Sequence, residues 1–261
     1  MENGKAPDSR RRGGEPRSLP SSIYHLPSAG FFGALGDIHG DFESARRIME
    51  RHPGVPFWLC VGDVADAQGR YEPLPAPLYW IKGNNENFDL IAAWVARRKA
   101  VPDDPEERKA PPYEYIPNGE LVEIDGLTVA GLGGTFAPTM YEVAAADLPH
   151  PIRRTAKATE LADRRRHFVR EEVDRCKGMR GVDVFLSHEA PVPFRVGPVQ
   201  AGKRPINEIL AAMRPRLHLF GHHHRFQALV AEGVPSVCLD AVGVSYLLID
   251  RNTLEYQHLP S

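Results

Sequence analysis

The stretch AGFFGALGDIHGDFESARRIMERHPGVPFWLCVG (29–62) decides the fold. AGFFGAL (29–35) is a short apolar run bounded by glycine, the length of a buried strand. DFESARRIMERH (41–52) sets Phe42, Ala45, Ile48 and Met49 at helical spacing and stops at Pro53-Gly54. VPFWLCVG (55–62) is a second apolar strand. Strand, helix and strand in succession argue for a mainly parallel sheet with helices on its faces.

The same grammar continues outward. PLYWIKG (77–83) reads as a third strand, and NFDLIAAWVARRKA (87–100) as an amphipathic helix with Leu90, Ile91, Trp94 and Val95 inward. Residues 101–118 form a Pro-rich loop. ELVEIDGLTVAGLGG (120–134) is a hairpin turning at Asp125-Gly126. Residues 135–156 lack periodicity and predict a surface loop, and ELADRRRHFVREEVDRC (160–176) predicts a helix. VDVFLS (182–187) is another buried strand, followed by a Pro- and Gly-rich loop to about 204. INEILAAM (206–213) is a short helix, and RLHLFG (216–221) a strand. FQALV, SVCLD, SYLLID and TLEYQHL add β-runs. The two halves predict an α/β fold, a two-sheet β-sandwich with helices outside. It forms one domain over 23–261, behind a Gly-, Pro-, Ser- and Arg-rich tail at 1–22.

Bulk properties narrow the function. The chain has 261 residues, a formal net charge of −2, 42% hydrophobic and 25% charged residues. That is an ordinary globular composition. Near-neutral charge makes no whole-molecule case for nucleic-acid binding, so any polyanion must meet a local patch or a metal. No run of 18 apolar residues is present, which predicts no membrane span. The tail has charges but no apolar core, unlike a secretory signal. Cys60, Cys176 and Cys238 lie far apart in apolar contexts, predicting buried reduced thiols and a cytoplasmic setting.

Chemistry-bearing residues gather where apolar strands stop: GDIHGD (36–41), GDVAD (62–66), GNNEN (83–87), SHEAP (187–191) and GHHH (221–224). Sites in α/β sheets form at the carboxyl ends of strands. Singly, each block reads as a turn, a helix cap or a rim residue. Together, carboxylate, amide oxygen and imidazole make a ligand set suited to manganese, iron, zinc or nickel.

This ordered set of blocks resembles the calcineurin-like metallophosphoesterase superfamily, whose blocks read GDxH, GDxxD, GNH[DE], an S/G-H block and GHxH. The resemblance implies a four-layer α/β/β/α fold and a binuclear centre. One ion, manganese first, would take Asp37, His39 and His224. The other would take Asn84, His188 and His222, and Asp63 would bridge them. A bridging water, losing its proton in that field, would attack phosphorus in line. FWLCVGDVAD, YWIKGNNE, VAGLGGTF, HFVREEVDRC and DVFLSHEAP further resemble the catalytic domain of RNA lariat debranching enzymes. Two departures stand out: that family has Cys where Asp37 stands, and GNHE in place of GNNE.

Asn85 thus falls where the family has histidine. Asparagine can donate a hydrogen bond but cannot transfer a proton at neutral pH. Either the substrate has a good leaving group, or His223 or a metal-bound water supplies the proton, or the site is weak or silent. Glu86 matches the acidic residue of the block, or caps the next helix. Lys82, Arg195, Lys203 and Arg225 are the candidate phosphate-binding cations, with Arg225 first. The reading is a metal-dependent phosphoesterase acting on a phosphate ester, a diester before a monoester, with nucleotide and nucleic acid among the candidates. The alternatives are a phosphomonoesterase or protein phosphatase, and a non-catalytic metal-binding scaffold.

Overall fold

A computed structural model of the chain describes residues 30–100, 113–148 and 163–261. The expected tail at 1–22, the start near Ile23, and parts of the expected loops 101–118 and 135–156 lie outside the described residues. So do the first positions of the expected 160–176 helix.

The strand expected at 29–35 is β1 (Phe31–Leu35), and the helix after it is α1 (Phe42–Arg51). Asp41 caps α1, its side chain accepting from the Ser44 amide at 3.1 Å. Phe42, Ala45, Ile48 and Met49 are the apolar side chains it buries. β2 (Trp58–Cys60), β3 (Leu78–Trp80), α2 (Phe88–Ala100) and β4 (Tyr113–Tyr115) follow. β1, β2, β3 and β4 pair in parallel. β13 (Ser245–Asp250) adds antiparallel to β1, and β14 (Tyr256–Pro260) to β13, completing a six-stranded sheet.

A second six-stranded sheet uses β5 (Leu121–Ile124), β6 (Leu127–Leu132), β7 (Val184–Ser187), β10 (Leu217–Phe220), β11 (Gln227–Ala231) and β12 (Val234–Cys238). Its centre, β6-β7-β10-β12, is parallel and its edges are antiparallel hairpins. The expected hairpin turn is present, with Asp125 and Gly126 at φ 50° and 82°.

Three apolar layers give the four-layer order. Leu59, Val61, Ile81, Val129, Leu186 and Leu219 fill the seam between the sheets. Trp58, Cys60 and Trp80, on the opposite face of the first sheet, pack with α1 and α2. Phe185 packs with α3 (Arg170–Gly178) and α4 (Arg204–Met213) outside the second sheet. Strands buried on both faces cannot alternate polar and apolar, which is why they read as continuous apolar runs.

Three expectations need correction. The helix over 160–176 begins at Arg170. Before it lie a 3₁₀ turn at Arg164–Arg166 and extended residues up to Val169. The reason is tertiary: Thr135 bridges to His167, and the Phe168 amide donates to the Thr135 carbonyl at 3.1 Å. Tyr113–Tyr115, expected as loop, is β4, a half-buried strand whose register is set by β3. The expected loop before 204 contains a small ribbon, β8 (Arg195–Val196) against β9 (Val199–Gln200).

Candidate metal centre

Five strand ends build the site. Asp37 and His39 follow β1, Asp63 follows β2, Asn84 follows β3, His188 follows β7, and His222 and His224 follow β10. Both sheets contribute. The first two loops are stitched together: the Ile38 and His39 amides both donate to the Asp63 carbonyl, at 3.0 and 2.7 Å.

Two groups form. The ligand atoms of Asp37, His39 and His224 all lie within 4.8 Å of one another, as do those of Asp63, His188 and His222. In the first, His224 Nε2 is 3.0 Å from Asp37 Oδ2 and 3.1 Å from His39 Nε2. In the second, His188 Nε2 is 3.1 Å from Asn84 Oδ1. The groups meet at Asp63, whose Oδ2 lies 3.6 Å from both His39 Nε2 and His188 Nε2.

Packing dictates this geometry. A Cβ on Gly83 would sit 1.9 Å from Asp63 Oδ1, and one on Gly221 would sit 2.4 Å from Asp37 Oδ1. Only glycine lets those backbones approach so closely. Four of the gathered side chains, His39, Asp63, His222 and His224, have φ between 47° and 70°. Left-handed backbone is uncommon for residues other than glycine and is concentrated at functional sites.

The donor chemistry fits cations. Asp37 and Asp63 are buried, and among the described residues neither pairs with Lys or Arg. His188 Nδ1 lies 2.8 Å from the Val61 carbonyl, so it donates there and turns Nε2 toward Asn84 and Asp63. Burial would lower the pKa of His188, yet the charges of Asp63 and Asp37 raise it. Burial would raise that of Asp37, yet the His224 hydrogen bond and the charge of His188 lower it. The pocket favours positive charge.

The remaining expected residues sit as follows. Asn85 is exposed and turns toward Asp63, donating from its amide N to Oδ1 at 2.7 Å and from Nδ2 to Oδ2 at 2.9 Å. His223 packs on Phe194, ring centroids 4.8 Å apart, with its Nε2 buried and unpartnered among the described residues. Burial pushes His223 down to about 4. Arg225 is exposed beside His224. Lys82 is withdrawn as a phosphate-binding cation: it is buried, donating to the main-chain oxygens of Arg165 (2.7 Å) and His167 (3.3 Å). Glu86 does not cap α2; Asn87 does, accepting from the Leu90 amide at 3.1 Å. Glu86 instead accepts from the amides of Val64 (2.9 Å), Ala65 (3.3 Å) and Gly83 (3.3 Å) and from Tyr71 Oη (2.8 Å). It thereby joins the second and third loops.

Sequence reasoning missed Arg166, whose Nη2 donates to the Asn84 carbonyl at 3.2 Å. Its one signal was the Arg164–Arg166 run, which looks like an exposed helix face.

Carboxylates, an amide and imidazoles thus gather at the ends of strands from both sheets, a donor set that suits divalent metal ions. The chain belongs to the calcineurin-like phosphoesterase family, whose profile matches residues 32–226. It is 29% identical over 73% of its length to a lariat debranching enzyme of Drosophila melanogaster, covering 37% of that protein. It is 22% identical over 74% of its length to one of Schizosaccharomyces pombe, covering 43% of it. The chain thus spans about two fifths of these relatives. The crystal structure of TT1561 from Thermus thermophilus shares the fold, at TM-score 0.54 and 15% identity, with 89% of this chain and 99% of that one covered.

Proposed function

We propose that the chain hydrolyses phosphodiesters at a pair of divalent metal ions. Asp37, His39 and His224 hold one ion, and Asn84, His188 and His222 the other, with Asp63 shared. One observation carries this reading: a single oxygen of Asp63 borders both groups at 3.6 Å. When bound, such a pair of ions activates water and neutralises charge on the phosphoryl oxygens. Manganese suits the mixed carboxylate, amide and imidazole set, and iron, zinc and nickel share its preferences.

The chain's own residues prepare the site. Val61 fixes the His188 tautomer. The His222 amide, 3.2 Å from both oxygens of Asp37, holds that carboxylate in place. Asn85 locks the orientation of Asp63 with two donors. Asn85 has no proton to give a leaving oxygen, and His223, neutral at pH 7, is a poor source of one. Neither side chain supplies that proton, so the site suits leaving groups that depart without one or take it from water. The names of the relatives favour a diester, with nucleic acid the first substrate class to try.

The test is hydrolysis of an activated aryl phosphodiester by stripped protein titrated with manganese, with an aryl monoester in parallel. Asp63→Asn is the control. Losing a residue behind a ligand costs roughly 10–100-fold. Losing the shared ligand should cost more than roughly 100-fold in turnover and remove metal from both groups. Undiminished turnover and two bound ions in Asp63→Asn would refute the shared role. Faster monoester cleavage would shift the reading to a phosphomonoesterase.

A further inference from the structure

The 3₁₀ turn at Arg164–Arg166 comes from far along the chain, yet it lies against the loop carrying Asn84. Three consecutive carbonyls of this segment are held from beneath. Lys82 donates to those of Arg165 and His167, and the Thr135 amide donates to that of Arg166 at 2.8 Å. A buried lysine spent on main-chain oxygens leaves a rigid mount. Functional side chains are best offered from such mounts.

The arginines differ in their partners. Arg165 is neutralised, with Nη2 2.5 Å from Asp163 and 2.7 Å from Asp89. Arg166 has no carboxylate partner among the described residues. It touches the Asn84 carbonyl and is half-buried. Its neighbour Arg164 has a buried Nε with no acceptor among the described residues. Among the described residues, then, the Arg166 guanidinium stands beside Asn84 with no carboxylate against it.

Asn84 separates this charge from the centre. Its side-chain oxygen meets His188, and its main-chain oxygen meets Arg166. A group resting on Arg166 is therefore next to Asn84, which itself touches His188 of the second ligand group. Resting on the phosphodiesterase reading above, the geometry points to Arg166 as the contact for a second phosphate, next to the scissile one. The substrate is then an oligonucleotide strand with consecutive phosphodiesters. Guanidinium suits this task because its donors match phosphate oxygens in a fixed fork.

The test uses the full chain and a fluorescein-labelled single-stranded RNA hexamer. Anisotropy is read in chelator at stepped KCl, beside the same hexamer with uncharged methylphosphonate linkages. Arg166→Ala should weaken the phosphodiester hexamer about tenfold and lower its salt slope by about one. It should leave the methylphosphonate hexamer unaffected. Arg166→Lys should recover the salt slope, since it restores the charge without the fork. Metal content per chain is the readout a bracing role would move. Unchanged metal content with weakened hexamer supports the phosphate contact. Falling metal content, unchanged affinity, equal loss on both hexamers, or no binding by the native chain overturns it. Because chelator removes catalysis, absent aryl-diester turnover would sink the hydrolase reading alone.

Discussion

At Asn85 an amide stands where the family's motif has an imidazole; its Nδ2 donates to Asp63 Oδ2 while the residue's main-chain N–H donates to Oδ1. Substituting Asn85→His gives up the Nδ2 bond, keeps the main-chain one and gains a titratable donor. Positioned proton transfer is worth roughly 10²–10⁴-fold. Turnover of alkyl diesters, whose leaving oxygens need a proton, should therefore rise by at least about tenfold relative to aryl diesters. Parallel rate measurements on the two substrates decide this, and equal effects would remove the missing-acid argument. The gathered side chains were legible in the sequence because each follows directly on an apolar strand, so position along the chain encoded position in space. The Asn85–Asp63 clamp was not, since two loops must be docked before either donor finds its acceptor.

Among the elements, the segment from Asp163 to Val169 was misread for a related reason. Its charge pattern suits an exposed helix, but its backbone bonds go to Thr135 and Lys82, from distant loops. Propensity is a weak prior where tertiary partners take up the hydrogen bonds. Likewise β4, three residues of half-buried YEY, carries no apolar run and owes its existence to the neighbouring β3. Lys82→Met should strand the Arg165 and His167 carbonyls at a cost of about 1–3 kcal/mol. For a domain of this size that lowers Tm by roughly 2–12 °C. Calorimetry, with proteolysis localised near residue 165, checks both the size and the place of the effect. A Tm equal to that of the native chain would mean the lysine braces nothing.

For the whole molecule, the clearest pH dependence comes from His218 in the second sheet. It is fully buried, lies between the hydroxyls of Ser187 (2.8 Å) and Ser236 (3.1 Å), and stacks with Phe185 and Phe220. Burial pushes it down to about 3. A histidine depressed on folding contributes nothing adverse above its unfolded value near 6.5. Below that value the unfolded chain takes up a proton that the folded chain refuses. Stability should then fall by about 1.4 kcal/mol per pH unit as pH drops from 6.5 toward 3. Urea midpoints at pH 7, 6 and 5 should decline in the native chain and decline less in His218→Gln. Parallel declines would assign the acid sensitivity to other groups.

Each ligand group draws from both sheets, with Asp37 and His39 facing His224, and Asp63 facing His188 and His222. A bound ion at either group would act as a rivet through the open end of the seam. Parting the two sheets there would first require shearing that rivet, so mechanical strength and catalytic readiness would rise and fall together. Amides at the tips of β1 and β10 should then exchange with solvent more slowly as ions are added, while those at the opposite end of the same strands keep their rates.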